Sequence, residues 1–247
     1  MAAAATVDKA LDLLFRLHEE PSPMGVTALG LALGLPKSSA HRLLASLSRR
    51  GLVEQDGRGR YRPGIGLVAL GLGALEREPL VAAARPVLEE EALALGETVF
   101  LVVARAGRLV VLDKVEGTGF LRASPRVGSE VPVHATAVGK LFLALEPEAV
   151  NPPPRKLERF TDHTLHGLAL DRAVALARER GFAESREEWI PGLCVVAAPV
   201  AARGVVRAAL AVAASAPRMT AMDPARVARR AVAAAERVSA RLEGRES

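Results

Sequence analysis

The sequence predicts an α+β chain in two parts, and three observations predict it. Apolar residues recur at helical spacing through residues 6–19 and again through 40–47. An Asp-Gly turn between two short extended runs marks a hairpin at residues 52–62. From residue 97 the period changes to β-branched runs interspersed with helices. The expected layout is a small helical unit with a hairpin (residues 1–63), a linker helix (64–78) and a larger domain (79–247). In that larger domain an antiparallel sheet is flanked by helices.

Composition sets the outer bounds. A chain of 247 residues that is 50% apolar can bury a sizeable core. The single cysteine, Cys194, excludes an intramolecular disulfide, and no Cys/His pair has zinc-finger spacing. The start, MAAAATVDK, lacks the basic and apolar regions of a signal peptide. The longest apolar run, Ile65 to Leu75, has 11 residues, against the ~20 needed to cross a bilayer. The expectation is a cytoplasmic protein with no membrane partner. One Asn, one Gln and an excess of Arg over Lys fit a thermophilic source, as GC-rich coding also would.

The first helix is expected over residues 6–19, with Val7, Ala10, Leu11, Leu14 and Leu17 as its buried stripe and Pro21 and Pro23 as its stop. Thr27 is the expected N-cap of a short second helix, Ala28 to Leu33. Gly30 stands where a capping box needs Glu or Gln, so packing of Leu29 and Leu33 must hold that helix. Gly34 can close it. Pro36 suits the first turn of the next helix, which buries Ala40, Leu43, Leu44 and Leu47. Its opposite face carries Ser38, His41, Arg42 and Ala45, with Lys37 and Ser39 beside it. Gly51 ends it after Arg49 and Arg50, whose charge suits the negative helix end. Strands Leu52 to Gln55 and Arg60 to Arg62 follow, joined by Asp56-Gly57-Arg58-Gly59, with Tyr61 packing under the hairpin.

Helix, turn, helix and basic hairpin make a winged helix-turn-helix. From Lys37 to Arg62 seven Lys/Arg face two acids, so this stretch alone holds an excess equal to the whole chain's +5. Spacing, wing and localised charge together point to double-stranded DNA. Lys37, Ser38, Ser39, His41 and Arg42 are the candidates for the major groove, and Arg58 and Arg60 for phosphates. Thr27 completes the DNA-facing set. The bland alternative, a solvated basic face, accounts for the charge but not for the wing.

Residues 64–95 read as a helical connector punctuated by Pro79 and Pro86. Gly64 to Leu75 is apolar nearly all round, which predicts cover by a partner subunit. Val87 to Leu95 resumes helix and Gly96 closes it. Strands Glu97 to Arg105 and Arg108 to Glu116 turn at Ala106-Gly107, and Phe120 to Ala123 adds another. After a loop from Ser124 to Val133, His134 to Leu141 enters a helix ending near Leu145, and Asn151 to Pro154 is a proline-rich loop. A helix over Leu168 to Arg180 closes at Gly181. Strands Phe182 to Arg186, Leu193 to Val200 and Val205 to Ala214 follow, with turns at Pro191-Gly192 and Arg203-Gly204. The last helix starts at Asp223-Pro224 and reaches about Leu242. Its arginines (Arg226, Arg229, Arg230, Arg237, Arg241) and Arg245 read as a solvated face.

Six motifs in order carry a family resemblance: GLPKSSAHRLLASL at 34–47, the wing at 52–63, GETVFLVV at 96–103, LDKVEG at 112–117, VPVHATAVGKLFLA at 131–144 and GLCVVAAPV at 192–200. On these the sequence resembles the IclR family of bacterial transcriptional regulators nearly end to end. The resemblance implies an N-terminal winged helix domain, a linker helix and a C-terminal GAF-like effector domain. It also implies homodimers, with pairing into tetramers, on palindromic operators, and either repression or activation. The implied effector cavity lies on one face of the C-terminal sheet. Carried over by position, its lining is Ala137, Val138, Glu184, Cys194, Ala211 and Ala213. Backbone N–H groups after Thr136 suit a small anion. Relatives that take small oxo-acids tend to offer hydroxyls where this chain has Ala211 and Ala213, which favours a larger or aromatic carboxylate.

No cofactor, metal or catalytic residue is expected. His134 reads as a satisfied structural residue and Cys194 as a small hydrophobe. No G-x-S-x-G elbow, P-loop or H-E-x-x-H occurs. Two other classes stay open: a GAF-like sensor without a DNA role, and a small-molecule enzyme. Operator binding would exclude the first, and turnover of carboxylic acids would establish the second.

Overall fold

A computed structural model describes residues 2–119, 125–153 and 157–244. The expected strand at 120–123 lies outside them. The chain forms two compact units, 1–78 and 79–247.

In the first unit α1 (Ala2–Glu19), α2 (Val26–Ala32) and α3 (Lys37–Arg49) pack on a three-stranded sheet. Its strands are β1 (Met24–Gly25), β2 (Val53–Gln55) and β3 (Arg60–Pro63), in the order β1-β3-β2. Leu13, Leu17, Leu29, Leu44, Leu47, Val53 and Tyr61 form the core. Two expectations need correcting. The buried edge of α1 is Leu13 and Leu17, with Ala10 and Leu14 partly covered, whereas Val7 (57%), Leu11 (45%) and Phe15 (63%) are exposed. The helix has two apolar edges, and spacing alone does not say which one meets its own domain. Thr27 is not an N-cap. Met24 and Gly25 pair with Tyr61 and Arg60, so α2 starts at Val26, capped by Gly25 without a side-chain bond, and Thr27 lies in its first turn. The helix α4 (Ile65–Glu76) ends this unit and buries none of its residues.

The second unit is a six-stranded antiparallel sheet between two helical layers. Its strands are β4 (Thr98–Arg105), β5 (Arg108–Val115), β6 (Glu130–Val131), β7 (Ala183–Arg186), β8 (Leu193–Ala202) and β9 (Val205–Ser215), in the order β6-β5-β4-β9-β8-β7. On one face α5 (Pro79–Leu95) and α9 (Pro224–Leu242) cover Val99, Leu101, Val103, Val196, Ala198, Leu210 and Val212. On the other, α6 (Ala137–Leu145) and α7 (Leu168–Arg180) cover Phe100, Val102, Val195, Ala197, Ala209 and Ala211. Side chains alternate along a strand, so each strand feeds both cores, and their continuous apolar runs follow from burial on both faces.

Pro86 does not break the connector. The helix α5 runs through it, with the proline ring exposed to solvent. The arginines of α9 are only partly a solvated face. Arg230 and Arg237 reach Glu91 at 2.8 and 2.7 Å, and Arg237 also reaches Glu90 at 2.7 Å, which ties α9 to α5. Arg226 and Arg229 are exposed, and Arg245 lies outside the described residues. A short helix α8 (Ala216–Ala221) and the strand β6 had no sequence signal strong enough to predict them. Among the described residues no helix is long and apolar enough to cross a membrane.

Candidate functional site

The exposed face of α3 follows from its buried one. Ala40 and Leu44 are fully buried and Leu47 nearly so, which leaves Lys37, Ser38, His41 and Arg42 exposed and Ser39 half-buried. Thr27 on α2 is exposed as well. The turn between α2 and α3 is fixed by the Leu35 N–H on the Gly30 carbonyl at 2.8 Å. A side chain at residue 30 would meet the Leu35 carbonyl oxygen at 2.9 Å, which explains the glycine at this buried position.

The hairpin is organised by one carboxylate. Asp56 Oδ1 accepts the N–H groups of Arg58 and Arg60, both at 2.9 Å. Its Oδ2 takes Arg60 Nε at 3.0 Å and a terminal nitrogen of the same guanidinium at 2.9 Å. The Arg60 N–H first, with the Arg58 N–H and the Arg60 guanidinium, holds this carboxyl below its ordinary range, against the opposing pull of desolvation. Arg60 is therefore committed to Asp56, while Arg58 stands exposed at the tip. Tyr61 is buried beneath, as its alternation with Arg60 and Arg62 requires.

The second site is built on the start of α6. Thr136 caps the helix: its Oγ1 accepts the Gly139 N–H at 3.0 Å and donates to the Pro132 carbonyl at 2.7 Å. Gly139 is required by space, since a Cβ there would fall 1.8 Å from the Val133 oxygen. The N–H groups of Ala137 and Val138 belong to the first turn and have no acceptor within the helix. A cavity of about 20 Å³ lies beside them, lined by Phe100, Pro125, Val131, Ala135, Thr136, Val138, Ser185, Trp189, Leu193 and Val195. That is room for about one water molecule.

Not all of the expected lining meets there. Ala137, Val138, Ala211 and Ala213 share the core under α6 and α7, and Val138 lines the cavity itself. Cys194 packs in the opposite core with α5 and α9, where burial pushes its thiol up. Glu184 pairs across strands with Val196, sits 3.9 Å from Arg186 and borders a different cleft beside α7. Neither residue borders this cavity. Ser185 and Val195, a facing pair one step along, point to the cavity, because a one-residue step exchanges the faces of a strand. Sequence reasoning missed Ser185, Val195, Phe100 and Trp189; strict alternation from Ala183, combined with the pairing of β7 and β8, would have found the first two.

His134 is held structurally, its Nε2 on the Glu158 carbonyl at 2.9 Å and its ring stacked on Phe160. No cluster of three metal-ligating side chains occurs among the described residues. At the cleft beside α7, Lys140 and Glu188 form an ion pair at 2.6 Å with side chains 2% and 7% exposed. Glu188 Oε2 is buried without a partner.

Two family domains match the chain in order. The IclR helix-turn-helix domain matches residues 6–57, and the C-terminal domain of bacterial IclR transcriptional regulators matches 72–240. The HTH-type transcriptional regulator XynR of Escherichia coli is 32% identical over 205 residues, covering 81% of each chain. The crystal structure of an IclR-type regulator from Alicyclobacillus acidocaldarius superposes with a TM-score of 0.82 at 26% identity, over 100% of this chain and 99% of that one. An IclR homologue from Microbacterium hydrocarbonoxydans, solved with 4-hydroxybenzoate, gives a TM-score of 0.82 over 96% of this chain and 98% of that one. At 24% identity it speaks for the fold alone. With both family domains in sequence order and relatives above 30% identity across most of its length, the chain belongs to the IclR family of bacterial helix-turn-helix transcriptional regulators.

Proposed function

We propose that the protein is a homodimeric operator-binding regulator whose hold on DNA responds to a small carboxylate. The observation that carries the DNA reading is the exposed row Lys37, Ser38, His41 and Arg42 on a helix whose other face buries Ala40, Leu44 and Leu47. Small and cationic side chains let a helix enter the major groove, and Arg58 at the hairpin tip suits a phosphate. Arg60 is the weaker candidate, since a phosphate would have to compete with Asp56 for its guanidinium.

The dimer reading rests on α4. Ile65, Val68, Leu70 and Leu72 are all exposed on a helix that buries none of its residues. The edge of α1 carrying Val7, Leu11 and Phe15 is exposed too. Exposed apolar side chains on both helices offer a surface for a partner, and a second copy brings two recognition helices to a palindrome.

The effector reading rests on the start of α6. Two N–H groups at a helix N-terminus favour an anion, and the Ser185 hydroxyl stands at the same cavity. Phe100, Leu193, Val195 and Trp189 suit an apolar or aromatic remainder. The cavity holds about one water molecule, so uptake of a benzoate-sized ligand requires its walls to part, and that movement is the proposed signal. A thermal-shift screen of small carboxylates tests this reading, because a ligand at 100 times its Kd adds about 2.7 kcal/mol to the native state. The reading predicts a rise with some carboxylates and none with the matching amides; equal shifts with both would remove the helix-terminus site.

A further inference from the structure

Resting on the operator reading above, we infer that Glu54, Gly64 and Gly66 lock α4 to the winged helix as one rigid body, and so set which half-site spacing the protein accepts. The first turn of α4 lies directly on the loop that ends α3. The Gly66 N–H donates to the Gly51 carbonyl at 2.8 Å, and the Gly64 N–H to the Leu52 carbonyl at 2.9 Å. The Ile65 N–H between them donates to Glu54 Oε1 at 2.9 Å. Glu54 Oε2 meanwhile holds Arg62 at 3.1 Å. Three consecutive N–H groups at the start of α4 are thus answered by the segment between α3 and the end of β2.

The two glycines are there for space. Gly64 has φ −95°, which any residue can adopt, and Gly66 lies within a helix. Yet a Cβ on Gly64 would stand 2.3 Å from the Gly51 oxygen, and one on Gly66 2.8 Å from the same atom. Neither position tolerates a side chain without pushing α4 away from α3. Contacts this close, backbone on backbone, do not slide; packed elements shift between discrete arrangements or not at all. A turn of α4 is therefore a turn of α3. If α4 pairs with its copy, the angle between two recognition helices is fixed by the join and not by a flexible hinge.

The test uses the full-length protein and a duplex selected by it from random sequence, then rebuilt with two base pairs added between half-sites. The insertion rotates one half-site by roughly 70°, at 10–10.5 base pairs per turn. Wild type should bind the lengthened duplex at least about tenfold more weakly, a small part of the specific-over-nonspecific ratio. Gly66→Val and Glu54→Ala should bring that ratio toward one while binding a single half-site at low salt as wild type does. If Gly66→Val melts early or loses the dimer, Glu54→Ala decides, since its partly exposed side chain can be removed without opening a core. Variants that discriminate spacing as sharply as wild type would overturn the rigid join. A wild type that selects no duplex would instead overturn the operator reading, and this inference with it.

Discussion

Replacing Lys140 with methionine should destabilise the second unit more than any surface change. The side chains of Lys140 and Glu188 are 2% and 7% exposed, and Glu188 already keeps one oxygen without a partner. Removing the ammonium leaves a buried carboxylate with no counter-charge. Breaking one side of such a pair costs about 3–5 kcal/mol, which for a unit of this size is a fall of roughly 6–20 °C in Tm. Replacing both, as Lys140→Met with Glu188→Leu, should recover most of that loss, because apolar substitutes for a buried pair are often neutral or better. Denaturant unfolding of the two single variants and the double variant, followed by circular dichroism, closes the cycle. A Lys140→Met protein within about 1 kcal/mol of wild type would show that the pair is not buried in solution as described.

The remaining predictions concern pH, the cavity and DNA. Burial pushes the Lys140 ammonium below its ordinary value of 10.5, against the opposing pull of Glu188. Between that lowered value and 10.5 the unfolded chain binds a proton that the folded chain has released, so stability from this group rises with pH through that window. The stability gap between wild type and Lys140→Met should therefore widen as pH approaches 10.5; a narrowing gap would mean that the pull of Glu188 wins. Ser185→Ala should weaken the carboxylate-induced thermal shift while Cys194→Ala leaves it intact, and the reverse result would restore the opposite face as the ligand site. Arg42→Ala should cost about 1–3 kcal/mol of operator affinity if Arg42 reads a base, and an unchanged titration removes it from the interface. Arg58→Ala should weaken all duplexes alike and reduce the salt slope by about one, whereas a change in sequence preference alone would contradict its phosphate role.

The winged helix was legible because each of its parts has a local cause: an apolar stripe at 40, 43, 44 and 47, an Asp-Gly turn, and glycines where chains cross. The sheet of the second unit was legible for the same reason, through β-branched runs between glycine turns. What stayed hidden was relational. Which edge of α1 faces its own core depends on β3 and α3, not on α1. The two-residue strand β1 exists only because Tyr61 and Arg60 pair with Met24 and Gly25. The cavity residues Ser185 and Val195 differ from Glu184 and Cys194 only by register; β8 is apolar on both faces and gives no polar alternation of its own, so its facing residue follows only from pairing with β7. The Lys140–Glu188 pair joins residues 48 apart, with nothing local to announce it.

One titration bears most directly on the whole account: fluorescence anisotropy of full-length protein on its in-vitro-selected duplex, repeated across salt with a scrambled duplex as competitor. The exposed row on α3 and the arginine at the hairpin tip predict a specific complex that survives the competitor and loses affinity steeply as salt rises. Equal affinity for selected and scrambled duplexes, or binding indifferent to salt, would contradict it.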